Sequence, residues 1–158
     1  MSNQSITTPW VERAEKLTFE TRPFILGDYC QSNSRDVLQT ENPANNATLA
    51  VFPDGNGSDI NSAVTAARNA FRQWRHLAPE QRKSLLLNVA TQVQAERETL
   101  ALLDCLEMGM PISRALEQVD IVTGLIRYNA ELVDKLYGEI APADSATTLA
   151  LSQPGPCG

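Results

Sequence analysis

The stretch that decides the fold is residues 112–137, which read ISRALEQVDIVTGLIRYNAELVDKLY. Apolar side chains recur along it in steps of three or four, the spacing that lines one face of an α-helix; they are Leu116, Val119, Val122, Ile126, Ala130, Val133 and Tyr137. Ser113 is suited to cap the first free N–H groups, and Gly138 follows where a left-handed residue often ends a helix. The predicted helix is about 39 Å long, so its apolar face needs partners.

Residues 22–52, upstream of this helix, are predicted to form a small β-meander. Gly27 and Asp28 lie between two short apolar runs, which suits a hairpin with glycine at the first central turn position, where φ must be positive. Residues 37–40 and 48–52 are rich in strand-forming side chains, and the segment between them contains asparagines and a proline that favour a turn. The N-terminal third is therefore expected to be β-structure.

Residues 58–138 are predicted to be mostly helical. Ser58 is expected to cap the first helix, residues 59–74, because its hydroxyl can accept from the free N–H groups of the first turn. Pro79 opens another helix, and the helical pattern continues until Gly109. A meander followed by a bundle of long helices places the chain in the mixed α/β class, with an α+β arrangement within these residues.

Composition and charge exclude several kinds of partner. The 158 residues include 13 Lys and Arg against 19 Asp and Glu, a net charge of −6, without a basic cluster to attract nucleic acid or an anionic membrane. No apolar run reaches the length of a membrane span and the N-terminus does not resemble a signal peptide, so we expect a cytoplasmic protein. With three cysteines and one histidine, neither a disulfide framework nor a Cys/His zinc site is expected.

The residue types that usually carry catalysis are sparse, and each has an ordinary structural interpretation. Cys157 is flanked by proline and glycine, but no histidine lies near it in sequence to act as a base. Cys105 lies among leucines and is expected to be a buried thiol, whereas His76 follows a helix end, where histidines interact with carbonyls or water. Residues 55–58 resemble a phosphate-binding loop but lack its lysine and third glycine, which favours a turn and helix cap. We therefore assign no catalytic or cofactor-binding residue.

Six short motifs, taken in order, resemble the N-terminal portion of the NAD(P)-dependent aldehyde dehydrogenase superfamily. They are FILGDY at residues 24–29, ENPA at 41–44, DINSAVTAARNAF at 59–71, PEQR at 79–82, EMGMPI at 107–112, and IRY with DKLYGE within 126–139. Two positions depart from the family pattern: Leu26 replaces a turn asparagine and Met110 replaces a lysine. Six motifs in register over residues 22–139 argue against coincidence.

The resemblance implies the front part of an aldehyde dehydrogenase fold, with an incomplete coenzyme-binding Rossmann-like domain and with the coenzyme and catalytic domains outside these 158 residues. The complete enzyme would oxidise an aldehyde to a carboxylic acid with NAD or NADP, and the branch acting on amino-aldehydes is the most similar. The chain alone is expected to be inactive and to bind no cofactor. Its partner would be the remainder of the same enzyme, and residues 147–151 would begin the strand that joins subunits into a homo-oligomer.

The resemblance also implies a monovalent-cation site. Its ligands would be the backbone of Thr40 and Glu41 and the carboxylate of Glu107, since hard cations favour carbonyl and carboxylate oxygens. The other interpretation of Glu107 is an ordinary solvated position on a helix face.

A second hypothesis for the whole chain comes from a different class of protein. The apolar face over residues 119–133 could be an interface instead of part of a larger core. The chain would then be a stand-alone helical binding or regulatory module that docks on another protein through its long helix.

Overall fold

This computed structural model combines helices with short antiparallel strands in a mixed α/β arrangement, which confirms the predicted fold class. The structure describes residues 4–142 and 147–152. In chain order the elements are α1 Gln4–Glu15, β1 Phe24–Ile25, β2 Asp28–Tyr29, β3 Val37–Glu41, β4 Thr48–Pro53, α2 Gly57–Trp74, α3 Pro79–Ala95, α4 Arg97–Met108, α5 Ile112–Leu132, β5 Glu139–Ala141 and β6 Ala150–Ser152.

The predicted β-meander of residues 22–52 is wrong in one respect, because its strands form separate antiparallel hairpins. Strand β1 pairs with β2 and β3 pairs with β4, but β2 and β3 do not pair in the described part of the chain. The connection between them is held elsewhere: the Ser32 hydroxyl donates to the Asp59 carboxylate at 2.6 Å, and the Asn33 N–H donates to it at 3.3 Å. These bonds attach the connection to the start of α2 instead of returning it along β2.

The turn of the first hairpin is shifted by one residue from the prediction. Phe24 faces Tyr29 and Ile25 faces Asp28, so the central residues are Leu26 and Gly27. Both have positive φ, 58° and 88°, as a type I′ turn requires. Leucine is disfavoured in this region, whereas asparagine tolerates it, so the departure at Leu26 costs conformational energy on the order of 1 kcal/mol.

The cap of α2 is Asn56, not Ser58 as the sequence suggested. The Asn56 side chain accepts from the N–H groups of Ser58 at 2.8 Å and Asp59 at 3.1 Å. Asp59 returns the interaction, since its carboxylate accepts from the Asn56 N–H at 3.2 Å. This is a reciprocal capping box, and it satisfies donors that would otherwise be free at the helix start.

The long helix α5 is shorter than predicted and is not capped by Ser113. It begins at Ile112, where the N–H groups of Arg114 and Ala115 both donate to the Pro111 carbonyl. It ends at Leu132 because the last turn tightens, with the Lys135 N–H donating to the Leu132 carbonyl at 3.0 Å. The Lys135 ammonium also donates to the Glu131 carbonyl at 2.6 Å, which satisfies an acceptor at the helix end. Gly138 therefore lies beyond the helix and is not its cap.

Helix α5 packs against α3 and α4 through small side chains. Ala101 of α4 and Ala115 of α5 have no exposed surface and form the centre of the core together with Val119. Alanines at a helix contact allow the backbones to approach closely. Met110 packs against this cluster, so the position where the family pattern has lysine is apolar here.

The buried face of α5 differs in part from the predicted stripe. Val119 and Ala130 are buried as expected, but Thr123 is buried as well and its hydroxyl donates to the Val119 carbonyl at 2.8 Å. Val122 is exposed. It belongs to an apolar surface strip on the other side of the helix, which we call the outer strip and which comprises Ile121, Val122, Leu125 and Tyr128.

The accessible surface is large for the mass of the chain. It amounts to 12090 Å², whereas a compact monomer of 17.3 kDa is expected to expose about 7,800 Å². The excess is consistent with apolar faces such as the outer strip that the described residues do not cover.

Gly109 generates a prediction about stability. It has φ 68° at the end of α4, and a Cβ added there would lie 3.1 Å from Cγ of Pro43. We expect Gly109→Ala to lower the free energy of unfolding by about 1–2 kcal/mol. Gly124→Ala is the matched control, because Gly124 lies within α5 with nothing near its added Cβ and should gain up to about 1 kcal/mol.

Urea denaturation followed by far-UV circular dichroism would measure both variants. Equal stability of Gly109→Ala and the unchanged chain would contradict the left-handed cap and its contact with Pro43.

Candidate functional site

A groove of about 280 Å³ lies where the α1–β1 loop, the β3–β4 hairpin and the end of α4 meet. We call it the Glu107 groove. Phe52 and Pro53 of β4 supply part of an apolar wall, while the polar side chains on its rim are Glu20, Thr21, Arg22, Thr40 and Glu107. Two of the three predicted cation ligands, Thr40 and Glu107, therefore lie in one place although they are distant in sequence.

Glu20 and Arg22 form a closely matched ion pair on this rim. The Arg22 side chain donates to the two Glu20 oxygens at 2.8 and 2.7 Å, and the Arg22 backbone N–H donates at 3.0 Å. The hydrogen bonds from the Arg22 side chain are the main reason that the pKa of Glu20 is lowered from 4.5 to about 2. Glu20 is therefore ionised at neutral pH and engaged by Arg22.

Thr40 lies next to an irregularity in its hairpin. Thr40 pairs with Ala50 and Glu41 pairs with Thr48, so Leu49 is an extra residue on the opposite strand. In such a bulge the extra residue, here Leu49, is left unpaired and the ladder of hydrogen bonds is locally disrupted. Glu41 is not part of the groove lining, and its carboxylate accepts from the Gln39 amide at 2.8 Å.

Glu107 is in the last turn of α4, and the left-handed cap at Gly109 sets the direction in which the chain leaves the helix. Within the described residues no hydrogen bond or ion pair engages the Glu107 carboxylate. Nor does any group of three or more His, Cys, Asp or Glu side chains converge there as metal ligands would. A cation here would depend on one carboxylate and on backbone oxygens, a donor set that fits a hard ion of low charge.

The other residues that the sequence offered as candidates for catalysis or phosphate binding do not lie together. The His76 backbone N–H donates to the Gln73 carbonyl at 3.1 Å and the residue is exposed, while Cys105 is half-buried with a free thiol. Residues 55–58 serve as the turn and cap of α2. Cys157 lies outside the described residues. These positions do not come together as a catalytic constellation in the part of the chain described.

Asp59 is a polar residue that the sequence analysis did not single out. It is only 8% exposed, and it accepts from the Ser32 hydroxyl and from the N–H groups of Asn33 and Asn56. The hydrogen bond from Ser32 is the largest cause of its lowered pKa, while burial acts in the opposite direction. The Asn-x-x-Asp spacing of Asn56 and Asp59 is a capping signal that could have revealed part of this network.

Comparisons with known proteins agree with the resemblance. The aldehyde dehydrogenase family profile matches residues 29–158. The NADP/NAD-dependent aldehyde dehydrogenase PuuC of Escherichia coli (strain K12) is 36% identical over 139 residues, which are 86% of this chain and 28% of PuuC. Aminoacetaldehyde dehydrogenase of Pseudomonas aeruginosa is 33% identical over 137 residues, 84% of this chain and 27% of that enzyme.

Solved structures agree as well. The indole-3-acetaldehyde dehydrogenase AldA of P. syringae superposes with a TM-score of 0.85 at 33% identity, over 91% of this chain and 30% of AldA. The gamma-glutamyl-gamma-aminobutyraldehyde dehydrogenase of Burkholderia cenocepacia J2315 gives a TM-score of 0.82 at 34% identity, over 87% of this chain and 28% of that enzyme.

These matches define the family of proteins of which these residues form one part. The chain belongs to the aldehyde dehydrogenase family and corresponds to its N-terminal segment. It spans less than a third of the length of the relatives described.

The hypothesis of a stand-alone helical module is not favoured by these matches. The family profile includes all of α5, the helix on which that hypothesis depended. As a separate observation, no helix among the described residues is both long and apolar enough to span a membrane.

Asp59 generates a prediction about pH. Because its pKa is lowered in the folded chain, its contribution to stability is complete above 3.8, its ordinary pKa, and is lost as the pH falls through the lower folded value. Asp59→Asn should therefore destabilise the chain at neutral pH and flatten the loss of stability in acid. The measurement is the free energy of unfolding at neutral pH and at a pH below 3.8.

Asp54→Asn is the matched control, since Asp54 is an exposed carboxylate in the loop before α2. If Asp59→Asn showed the same acid dependence as the unchanged chain, the hydrogen bonds to Asp59 would not be the cause.

Proposed function

We propose that these residues are the structural front part of an NAD(P)-dependent enzyme that oxidises an aldehyde to a carboxylic acid, and that the 158-residue chain is inactive alone. The observation that carries this proposal is the family match over residues 29–158. Two structural features support it. The outer strip of α5 is an apolar face that a larger core would cover, and no described thiol is hydrogen-bonded to a base.

The proposed substrate class is an amino-aldehyde, with NAD or NADP as the hydride acceptor. Support comes from relatives named for aminoacetaldehyde and for gamma-glutamyl-gamma-aminobutyraldehyde, and from the NADP/NAD-dependent PuuC. No cysteine thiol among the described residues is hydrogen-bonded to a base, so the proposed role of this segment is to support a site formed by other residues. We expect the chain alone to bind neither coenzyme.

A monovalent cation is the proposed ligand of the Glu107 groove. The expected ligands are backbone oxygens of Thr40 and Glu41 and the Glu107 carboxylate. The proposal is supported by the presence of Thr40 and Glu107 in one groove, and by the bulge that disrupts the ladder beside Thr40. A cation bound there would connect the β3–β4 hairpin to the end of α4 and contribute to stability.

The β5–β6 hairpin is the proposed subunit contact of a homo-oligomer. The sequence predicted a strand over residues 147–151; a strand lies at Ala150–Ser152 and pairs with Glu139–Ala141, a strand that the sequence did not predict. Ile140 and Leu151 expose 76% and 58% of their surfaces, and an exposed apolar hairpin favours pairing with another chain. The cytoplasmic location stays a prediction.

Activity is tested with the protein purified from its source and with the 158-residue chain, side by side. The intact mass of each sample is measured, and the formation of NADH or NADPH is followed with an amino-aldehyde. We expect turnover only in a sample whose mass is well above 17.3 kDa. Turnover by the 158-residue chain would contradict the proposed inactivity, and no aldehyde oxidation by the heavier protein would contradict the proposed reaction.

Association is tested by light scattering on the 158-residue chain. Ile140→Lys should lower the average mass, because a charged side chain at the hairpin opposes strand pairing. Leu125→Lys in the outer strip is the comparison variant, since it changes a second exposed apolar surface without touching the hairpin. A shift towards monomer with Leu125→Lys alone would assign the association to α5 and contradict the hairpin.

A further inference from the structure

The Glu107 groove contains three charged side chains in its lining: Glu20, Arg22 and Glu107. Arg22 engages both oxygens of Glu20 at 2.8 and 2.7 Å, so these two charges cancel locally. Glu107 remains as a carboxylate without a charged partner among the described residues. The lining therefore presents a net charge of one negative unit.

We propose that Arg22 determines the charge selectivity of this groove by holding Glu20, and thereby makes the groove suitable for a monovalent rather than a divalent cation. The inference rests on the proposed cation site and concerns a selectivity residue, not a further ligand. Without Arg22, Glu20 and Glu107 would both be unneutralised carboxylates on the rim of the same groove.

The physical reason is that electrostatic attraction scales with the charge of the bound ion. An additional unneutralised carboxylate contributes twice as much to the binding free energy of Ca²⁺ as to that of Na⁺ at the same position. Losing the Arg22 charge should therefore strengthen Ca²⁺ binding more than Na⁺ binding. For a partly exposed pair this change in relative affinity is on the order of tenfold at low ionic strength.

The ion pair could instead serve only to hold the α1–β1 loop in place. The two roles predict different behaviour when both partners are replaced. Glu20→Gln alone leaves Arg22 to offset Glu107, so the net charge is zero and Na⁺ binding should be lost. The double variant Glu20→Gln with Arg22→Gln restores the single negative charge and should recover Na⁺ binding, although the ion pair is still absent.

The experiment uses the 158-residue chain and the line width of the sodium NMR signal, which broadens when Na⁺ binds. CaCl₂ is added as competitor while ionic strength is kept constant with choline chloride. We expect Arg22→Gln to lower the CaCl₂ concentration that displaces half of the bound Na⁺ by about tenfold. Arg114→Gln is the matched control, because Arg114 pairs with Glu117 at 2.7 Å on an exposed surface outside the groove and should change nothing.

The possible results distinguish the role of Arg22 from the existence of the cation site on which that role depends. If the unchanged chain does not broaden the sodium signal, or if Glu107→Gln leaves the broadening intact, the cation site itself is wrong and the inference fails with it. If Na⁺ binds and needs Glu107, but Arg22→Gln leaves the competition with Ca²⁺ unaltered, only the role of Arg22 is overturned. A double variant as impaired as Glu20→Gln would likewise assign the ion pair to loop structure. Circular dichroism on each variant establishes that its helices are retained.

Discussion

The close approach of α5 to α4 is the constraint on which the other contacts depend. Ala101 and Ala115 have no exposed surface at this contact, so both methyl groups are enclosed by neighbouring atoms. Charged pairs then form at the edges: Arg97 of α4 donates to both oxygens of Asp120 at 2.7 and 2.6 Å. An exposed pair of this kind contributes little stability alone, so it orients two helices that the alanines already hold together.

Helix α5 has apolar side chains on two of its faces, and only one of these faces is packed within the described residues. A helix that is apolar on two faces is usually enclosed by a larger core. Here α3 and α4 cover one face, and the outer strip from Ile121 to Tyr128 remains exposed. The chain spans less than a third of the length of the relatives described. The proposal that these residues support a longer enzyme accounts for the exposed strip as a face that other residues would cover, whereas the hypothesis of a separate module is not favoured.

Periodicity predicted where the helices lie, but not how they end. The apolar spacing identified α2 and α5, whereas the caps at Ser58 and Ser113 were wrong because Asn56 and the Pro111 carbonyl compete for the same N–H groups. The end of α5 depends on Lys135, whose ammonium donates to the Glu131 carbonyl. The spacing of apolar residues does not predict that hydrogen bond. Among the residues that line the groove, Thr40 and Glu107 were predicted from the family resemblance. Glu20 and Arg22 were not predicted, because only the folded α1–β1 loop brings them beside Thr40 and Glu107.

The left-handed conformation at Gly109 connects the core to the groove. It ends α4 about two turns after Ala101, and it lies against Pro43, which belongs to the turn that joins β3 to β4. Glu107 and Thr40 are thus carried by two elements that meet at this contact. Because a glycine can adopt this backbone without strain and leaves space for the proline ring, one residue sets both the exit of the chain from α4 and the position of the hairpin. The geometry of the groove is therefore a consequence of core packing, and its charge is set separately by Glu20, Arg22 and Glu107 on the rim.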